Sequence, residues 1–506
     1  MSVNDNTEDN DNNHLALSHP LIGSQVNQIE EVNDLKNRLS FNDFFYTLVA
    51  KVSNNPDKCN VWNYVLLDMI ENNVINESML SDVLRMTTDA TRSESVANRE
   101  FSCHMVSKLS RRLNERVFMD RILPLVQYLC QDLQPSIRAH ISRQMFVLSQ
   151  NFSLQIIKTQ ILPKLMDMTN DSELIVRIAS LESLIDLIPK FDDEFNKQII
   201  LPQIISIFDF ALVENDCSLS LIFMNFAKLC QTLPKNVISR EKWFLDYYCN
   251  IFLISNDFQM EPKVSNFERD FTERDAQCRA LLALYFPILL QIYGSNDTLF
   301  SILNFLCCDL DISVVRAISS VFNEICILMK NPFILYPQLS KLMSQRNIIV
   351  IKALSPSLAT ILINTIKSTP IDKKNELFVD LIQNLIGCEN TICLNLDWRL
   401  QIKFYENLIQ VLVHFPVNII QTVFLPLLLN RILTSRPIPS RIETSRCLLI
   451  LFLNLPVLSE VFNIYQWFVT TLCCGQSWSQ RMLFINVCYI IIELCDENIF
   501  ISYFLE

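Results

Sequence analysis

Apolar residues recur along most of the chain at steps of three and four, which puts them on one stripe of an α-helix. Leu154, Ile157, Ile161, Leu165 and Met168 make one such stripe, and Leu174, Ile178, Leu181, Ile185 and Ile188 make the next. Ile175, Leu184 and Leu187 give the second helix another apolar face. A helix that is apolar on two sides has to be covered on two sides, as happens when helix pairs stack. The same pattern predicts helices over residues 41–52, 61–72, 77–86 and 95–113. Others are expected over 216–233, 241–254, 274–293 (stopped by Gly294), 298–307, 312–329 and 336–343. A helix over 348–366 should kink at Pro356, and one over 376–386 should end at Gly387. Residues 256–266, polar and holding Pro262, read as a loop. Residues 1–37 are rich in Asn and Asp without a period and read as a disordered acidic tail, leaving 38–506 for the helical array.

A longer period overlies the helical one. Ile122-Leu123-Pro124, Asp132 and Ile137-Arg138 are echoed thirty-nine residues later by Ile161-Leu162-Pro163, Asp171 and Val176-Arg177. A third Ile200-Leu201-Pro202 follows at the same interval. A repeat of about 40 residues holds two helices and two short turns, and such units stack into an array. The proline is expected inside the first helix of each pair, where it removes a hydrogen bond and bends the axis. The aspartate falls in the turn, where it is expected to cap the next helix. The arginine, just inside that helix, is expected to join an Asp–Arg ladder of surface pairs worth about 0–1 kcal/mol each. A looser copy has Asp309, Asp311 and Val315-Arg316. Val423-Phe424-Leu425-Pro426 repeats the proline motif, while Trp398-Arg399 and Trp478, with Arg481 after it, open helices eighty residues apart. The final apolar run, 499–505, lacks a polar outer face, so the array is expected to continue past Glu506 or to be covered there.

Composition narrows the chemistry. The longest apolar runs, 280–290 and 447–455, fall short of the ~18–20 residues of a membrane span. No basic-then-apolar leader opens the chain. Seventeen cysteines without framework spacing suit reduced, buried thiols of a cytosolic or nuclear protein. A net charge of −12 argues against a nucleic-acid binder. The basic cluster Lys108, Arg111, Arg112, Arg116 and Arg121 reads as a solvated helix end, with an acidic partner as the alternative. Only four glycines are present, at 23, 294, 387 and 475, too far apart for a phosphate-cradling loop or a nucleophile elbow.

His14 and His19 lie in the acidic tail, and His104, His140 and His414 on separate helices. Cys388 and Cys393 flank an expected turn but lack half of a zinc ligand set. The vicinal pairs Cys307-Cys308 and Cys473-Cys474 read as free thiols, and Glu182 with Asp186 as a solvated face. No arrangement predicts catalysis, a cofactor or a metal.

The Pro124, Asp132, Ile137, Arg138 pattern and its copy at Pro163, Asp171, Val176, Arg177 resemble the HEAT repeat. Further motifs are Leu129-Cys130-Gln131-Asp132, Ala179-Ser180-Leu181-Glu182-Ser183-Leu184, Leu396-Asp397-Trp398-Arg399 and Ser477-Trp478 with Arg481 and Phe484. Together, from residue 61 onward, they resemble the HEAT scaffold and regulatory subunits of the phosphatase 2A class, most specifically the subunit-4 regulators of protein phosphatase 4. The resemblance implies an all-α superhelix, a HEAT-repeat solenoid of roughly ten to eleven helix pairs. It further implies a non-catalytic, cytoplasmic protein that binds the catalytic subunit of a Ser/Thr phosphatase and meets substrate proteins, without nucleic acid or membrane. The turns inside the pairs are then candidate contacts: Asp132, Gln134, Asp171 and Glu173, with Trp398 and Arg399 further on. The alternatives are a general protein-interaction scaffold or a karyopherin-type transport receptor, also a long acidic HEAT superhelix, taking a nuclear GTPase and basic cargo on its concave face.

Overall fold

The structure, a computed structural model, describes residues 23–54, 61–72, 74–238, 241–256, 266–329, 331–455, 457–458 and 462–494. Among the described residues every regular element is helical, and the chain forms two compact units that meet in sequence between Val213 and Glu214.

The first unit opens with α1 (Gly23–Arg38), α2 (Phe41–Asn54), α3 (Val61–Glu71), α4 (Glu77–Thr91) and α5 (Val96–Ser110). Helix α1 lies inside the stretch expected to be a disordered tail. Buried Val32, a Glu31–Lys51 ion pair at 2.7 Å and the Val61 N–H donating to Gln28 Oε1 at 3.1 Å tie this polar helix down. Tertiary contacts thus override a composition that by itself argues for disorder. Residues 1–22, the rest of that tail, lie outside the described residues.

The repeats follow as α6 (Leu123–Leu129) with α7 (Pro135–Ser149), α8 (Leu162–Met168) with α9 (Leu174–Leu187), and α10 (Leu201–Glu214). The first helix of each pair carries a π turn immediately before its proline, over Phe118–Ile122, Ile157–Ile161 and Asn196–Ile200. Leu123, Leu162 and Leu201 donate five residues back, to the carbonyls of Phe118, Ile157 and Asn196. The expected proline effect therefore takes a specific form: the turn widens by one residue, which makes room for the ring and shifts the hydrogen-bond ladder. The second helices α5, α7 and α9 lie side by side. Between α7 and α9 the contact is built on serines. Ser180 Oγ donates to Ser142 Oγ at 3.1 Å, Ser183 Oγ donates to the Ser142 carbonyl at 2.7 Å, and all three side chains are buried. Small hydroxyls let two backbones approach while every buried polar atom keeps a partner.

The second unit contains α11 (Ser218–Phe223), α12 (Phe226–Thr232), α13 (Trp243–Asn256), α14 (Asn266–Tyr293), α15 (Asp297–Leu306) and α16 (Ile312–Leu328). It continues with α17 (Tyr336–Ser344), α18 (Ile348–Leu354), α19 (Leu358–Ser368), α20 (Lys374–Asn395) and α21 (Trp398–Leu412). The remaining helices are α22 (Leu425–Thr434), α23 (Ile438–Asn454) and α24 (Trp478–Leu494). Gly294, at φ +69°, ends α14 as expected. The break at Pro356 is a 74° bend between α18 and α19, and a π turn over Ile420–Phe424 precedes Pro426. Residues 257–265, most of the expected loop, and the apolar run 499–505 lie outside the described residues.

Gly387 does not end a helix. It sits inside α20, where a Cβ would stand 3.0 Å from Arg346 Nε, and the helix runs on to Leu396, which takes φ +56°. The glycine admits a neighbouring side chain. Three helical stretches, Thr272–Tyr293, Ile371–Asn395 and Val417–Thr434, reach membrane-span length and hydropathy, which the apolar runs alone did not suggest. Within the unit α14 buries Arg274, Asp275 and Arg279, and α20 buries Glu389, each in an ion pair.

The serine seam makes a direct prediction. Ser180→Leu should destabilise the first unit by about 1–3 kcal/mol through overpacking, and Ser183→Ala by about 1 kcal/mol through a lost buried hydrogen bond. Urea denaturation measures both, and an unchanged midpoint for Ser180→Leu would contradict a tight seam.

Candidate functional site

The sequence places the candidate contacts in the turns inside each helix pair, and the structure shows what holds those turns. Arg138, in the first turn of α7, donates from Nη1 to the carbonyls of Asp132 at 2.8 Å and Leu133 at 3.4 Å, in the turn before its own helix. Its Nε and Nη2 fork onto the carboxylate of Asp171, in the next pair, both at 2.7 Å. Arg99 repeats the device one pair earlier. Its Nη1 donates to the carbonyls of Ser93 at 3.0 Å and Glu94 at 2.9 Å, and Nε and Nη2 fork onto Asp132 at 2.6 and 3.1 Å. In the second unit Arg279 forks onto Asp309 at 2.6 and 3.2 Å.

Each forked aspartate also accepts from a backbone N–H two residues on: Asp132 from Gln134, Asp171 from Glu173 and Asp309 from Asp311. It thereby shapes the turn, and the N-cap position itself falls to Gln134 in α7 and Glu173 in α9. The expectation that Asp132 and Asp171 cap the following helix is corrected accordingly. In the looser copy the extra residue separates the two jobs, with Asp309 taking the fork and Asp311 capping α16 through Ser313. Arg316 stands exposed.

The ladder is also more buried than a row of surface pairs. The Arg279 and Asp309 side chains are 8% and 4% exposed, and those of Arg138 and Asp171 14% and 13%. Bidentate geometry at this burial makes loss of one partner strand a charge. The fork on Asp171 holds its carboxyl below the ordinary value; Arg138 is the main cause.

The forks pin the turns and leave their apexes outward. Leu133 and Leu310, each the residue after a forked aspartate, are 93% and 90% exposed. Gln134 is exposed beside Leu133 and Glu173 in the turn after Asp171, and in the first unit Arg138 links these two predicted turns directly. Trp398 and Arg399 belong to the second unit, where the guanidinium lies 4.6 Å from the Trp398 ring centre and Asp397 caps α21 through Leu400. The exposed leucines were missed in the sequence. Their signal is an apolar residue directly after a turn aspartate.

Other candidate chemistry is absorbed into structure. Lys108 and Arg111 pair with Glu71, and Arg112 donates to the carbonyls of Ile70 and Ile75, so much of the basic cluster is spent on α3. His104 and His140, on separate helices as expected, touch edge to face at 5.0 Å, with His140 Nδ1 3.2 Å from Glu100. Cys388 and Cys393 flank no turn; both lie within α20. Cys393 donates to Glu389, and burial pushes its thiol up to about 12, far from a reactive thiolate. Buried Glu389 also receives the fork of Arg431 at 2.8 Å and the Tyr405 hydroxyl at 2.8 Å, beside a cavity of about 320 Å³ lined by Gln401, Arg431 and Ser435. Among the described residues no group of three or more His, Cys, Asp or Glu side chains is placed to hold a metal ion.

Residues 83–191, which contain both forks of the first unit, match the family described as PIK3R4-like, middle domain. Two curated relatives are the serine/threonine-protein phosphatase 4 regulatory subunit 4 of Homo sapiens, 25% identical over 466 residues, and that of Mus musculus, 24% identical over 466. Each match takes in 88% of this chain and 52% of the relative, so the chain spans about half the length of the curated relatives it matches. Among solved structures, Kap121p bound to Pho4p superposes with a TM-score of 0.55 at 13% identity, covering 94% of this chain and 56% of that one. Kap121p alone gives 0.52 at 14%, with the same coverage. These neighbours share the HEAT-type solenoid fold.

Removing one member of a fork should be costly. Arg138→Ala and Arg279→Ala should each destabilise by about 3 kcal/mol, whereas Arg85→Ala, from an exposed pair with Asp82, should change stability by less than about 0.5 kcal/mol. Chemical denaturation separates the two classes, and equal small effects would sink the buried-fork reading. Because the Asp171 value is depressed, its contribution is complete above the unfolded value of about 3.9 and lost as pH falls through the folded one. Asp171→Asn should therefore make the acid limb of stability shallower; an unaltered limb would contradict the assignment. The chain thus has a HEAT-type helical-repeat fold and is similar along most of its length to regulatory subunit 4 of protein phosphatase 4.

Proposed function

We propose that this chain is a non-catalytic scaffold that binds the catalytic subunit of a Ser/Thr protein phosphatase of the protein phosphatase 4 type and directs its action toward substrate proteins in the cytoplasm. The observation that carries the reading is similarity running through 88% of the chain to proteins named as regulatory subunits. The turn architecture supports it. Forked aspartates hold the backbone before any partner arrives, so docking on Leu133, Gln134 and Glu173, or on Leu310, orders little further chain. Preorganisation of this kind lowers the entropic cost of association. Trp398 and Arg399 offer a rigid aromatic and cationic pair of the type enriched at binding hot spots. The likeness to karyopherins is one of fold and supports no cargo or GTPase partner.

Co-expression of the tagged full chain with the protein phosphatase 4 catalytic subunit should yield a complex that survives gel filtration. Leu133→Asp and Leu310→Asp are expected to leave the melting temperature unchanged, and at least one should weaken retention tenfold or more. Absence of a complex with the unmutated chain would overturn the proposal. A complex indifferent to both substitutions would place the contact away from these turns.

A further inference from the structure

One turn of the second unit is built like the forked turns but lacks the fork. Arg441, in the first turn of α23, donates to the carbonyl of Ser435, six residues back, as Arg138 does to that of Asp132. Ser435 therefore stands where Asp132 stands in its own turn, and both are buried. The residue that reaches Ser435 from the preceding pair is Gln401, in the first turn of α21 and thirty-four positions earlier; Arg99 reaches Asp132 from thirty-three. Gln401 Nε2 comes only to 3.4 Å from Ser435 Oγ, a single long contact where Arg99 makes two charged ones.

An amide and a hydroxyl fill less space than a guanidinium and a carboxylate, and both Gln401 and Ser435 line the cavity of about 320 Å³. They share it with Arg431, whose side chain is 19% exposed, and with exposed Arg436. Leu394 and Leu396, 82% and 55% exposed, also line it, so the cavity opens to solvent along an apolar edge. Several donors around it are unspent. Arg431 forks onto Glu389 through Nε and Nη2, the latter also reaching Asn390, and its Nη1 makes no hydrogen bond among the described residues. The Ser435 hydroxyl accepts from Gln401 and donates to nothing among those residues. Glu389 answers the charge of Arg431, whereas Arg436 makes no ion pair among the described residues of a chain whose net charge is −12.

We propose that this cavity is a docking point for a segment of a partner protein that inserts a carboxylate side chain and lays an adjacent apolar residue against Leu394 and Leu396. The carboxylate takes the place that an aspartate of the chain itself takes in the forked turns, and it accepts from donors that line the cavity: Arg436, Arg431 and the Ser435 hydroxyl. Charge complementarity selects an acidic group, because Arg436 is unanswered within the chain and charged donors hold a carboxylate more strongly than neutral ones. The forked turns show which anion suits this place, since each fills it with a carboxylate. The exposed leucines beside the arginines select a protein segment over a free ion. The proposal goes beyond the phosphatase reading and holds whether or not the partner is a phosphatase.

The test uses the full chain and a fluorescein-labelled peptide copy of residues 128–137, which carries the Asp132-Leu133 turn. Fluorescence anisotropy should show saturable binding, weakened at least tenfold by Asp132→Asn or Leu133→Ser in the peptide and at least tenfold by Arg436→Gln in the protein. Arg436 is exposed and unpaired, so Arg436→Gln should leave the melting temperature unchanged. Ser435→Asp returns a carboxylate to the chain at the position of Asp132; it should abolish peptide binding without lowering the melting temperature. No saturable binding, or affinity indifferent to Arg436→Gln and to Asp132→Asn, would overturn the proposal. So would a Ser435→Asp chain that binds as before, or one that melts earlier, since the cavity would then not receive a carboxylate. Tighter binding of a peptide with phosphoserine at the position of Asp132 would overturn the carboxylate assignment. The assay contains no phosphatase subunit, so its failure is distinct from failure of the scaffold proposal.

Discussion

The bidentate arginine–aspartate fork is the constraint on which the repeats depend. A helical array has to set each pair against the next with side chains that are otherwise interchangeable aliphatics, and apolar packing by itself is non-directional. The fork adds direction. One guanidinium gathers the carbonyls at the turn before its own helix and the carboxylate of the following turn, so consecutive pairs share a fixed point. Its burial makes that point intolerant of slippage, because a shift of one residue would strand a charge. Apolar stripes supply most of the driving force in each unit, and the forks select one arrangement among those the stripes allow.

Two further devices serve the same end. The π turn ahead of Pro124, Pro163 and Pro202 gives each first helix the same local widening, so the repeats remain superposable despite a residue that breaks regular helices. The serine seam of Ser142, Ser180 and Ser183 brings α7 and α9 close without leaving a polar group unsatisfied. With the backbone held this way, the turn apexes can present Leu133 and Leu310 to solvent without collapsing onto the core.

Much of this was legible in the residues. The three-and-four spacing located most helices, the 39-residue interval located the pairs, and Pro356 marked a real bend. The departures have physical causes. Gly387 looked like a terminator because glycine usually is one, but inside α20 it lies against the side chain of Arg346, distant in sequence, which a Cβ would meet at 3.0 Å. Helix α1 looked disordered because composition cannot register one buried Val32 and a hydrogen bond to Val61. His104 and His140 lie on separate helices, as read, and their contact was not legible because stacked helices join residues one repeat apart.

By itself the sequence determined the all-α class, the repeat, the turn aspartates Asp132, Asp171 and Asp309, one of the forking arginines, Arg138, and a likeness to phosphatase regulatory subunits. Arg99 and Arg279 carried no signal that marked them. The class, the repeat and the turn positions are properties of period and spacing, which a one-dimensional record preserves. Only the tertiary structure decided which aspartate each arginine takes, whether the pair is wet or dry, and which turn goes without a fork. Pairing and burial depend on how far a helix runs before it turns, as α10 does to Glu214 where α6 and α8 stop at Leu129 and Met168. The stripe that continues a helix and the stripe that ends it look alike until something packs against them.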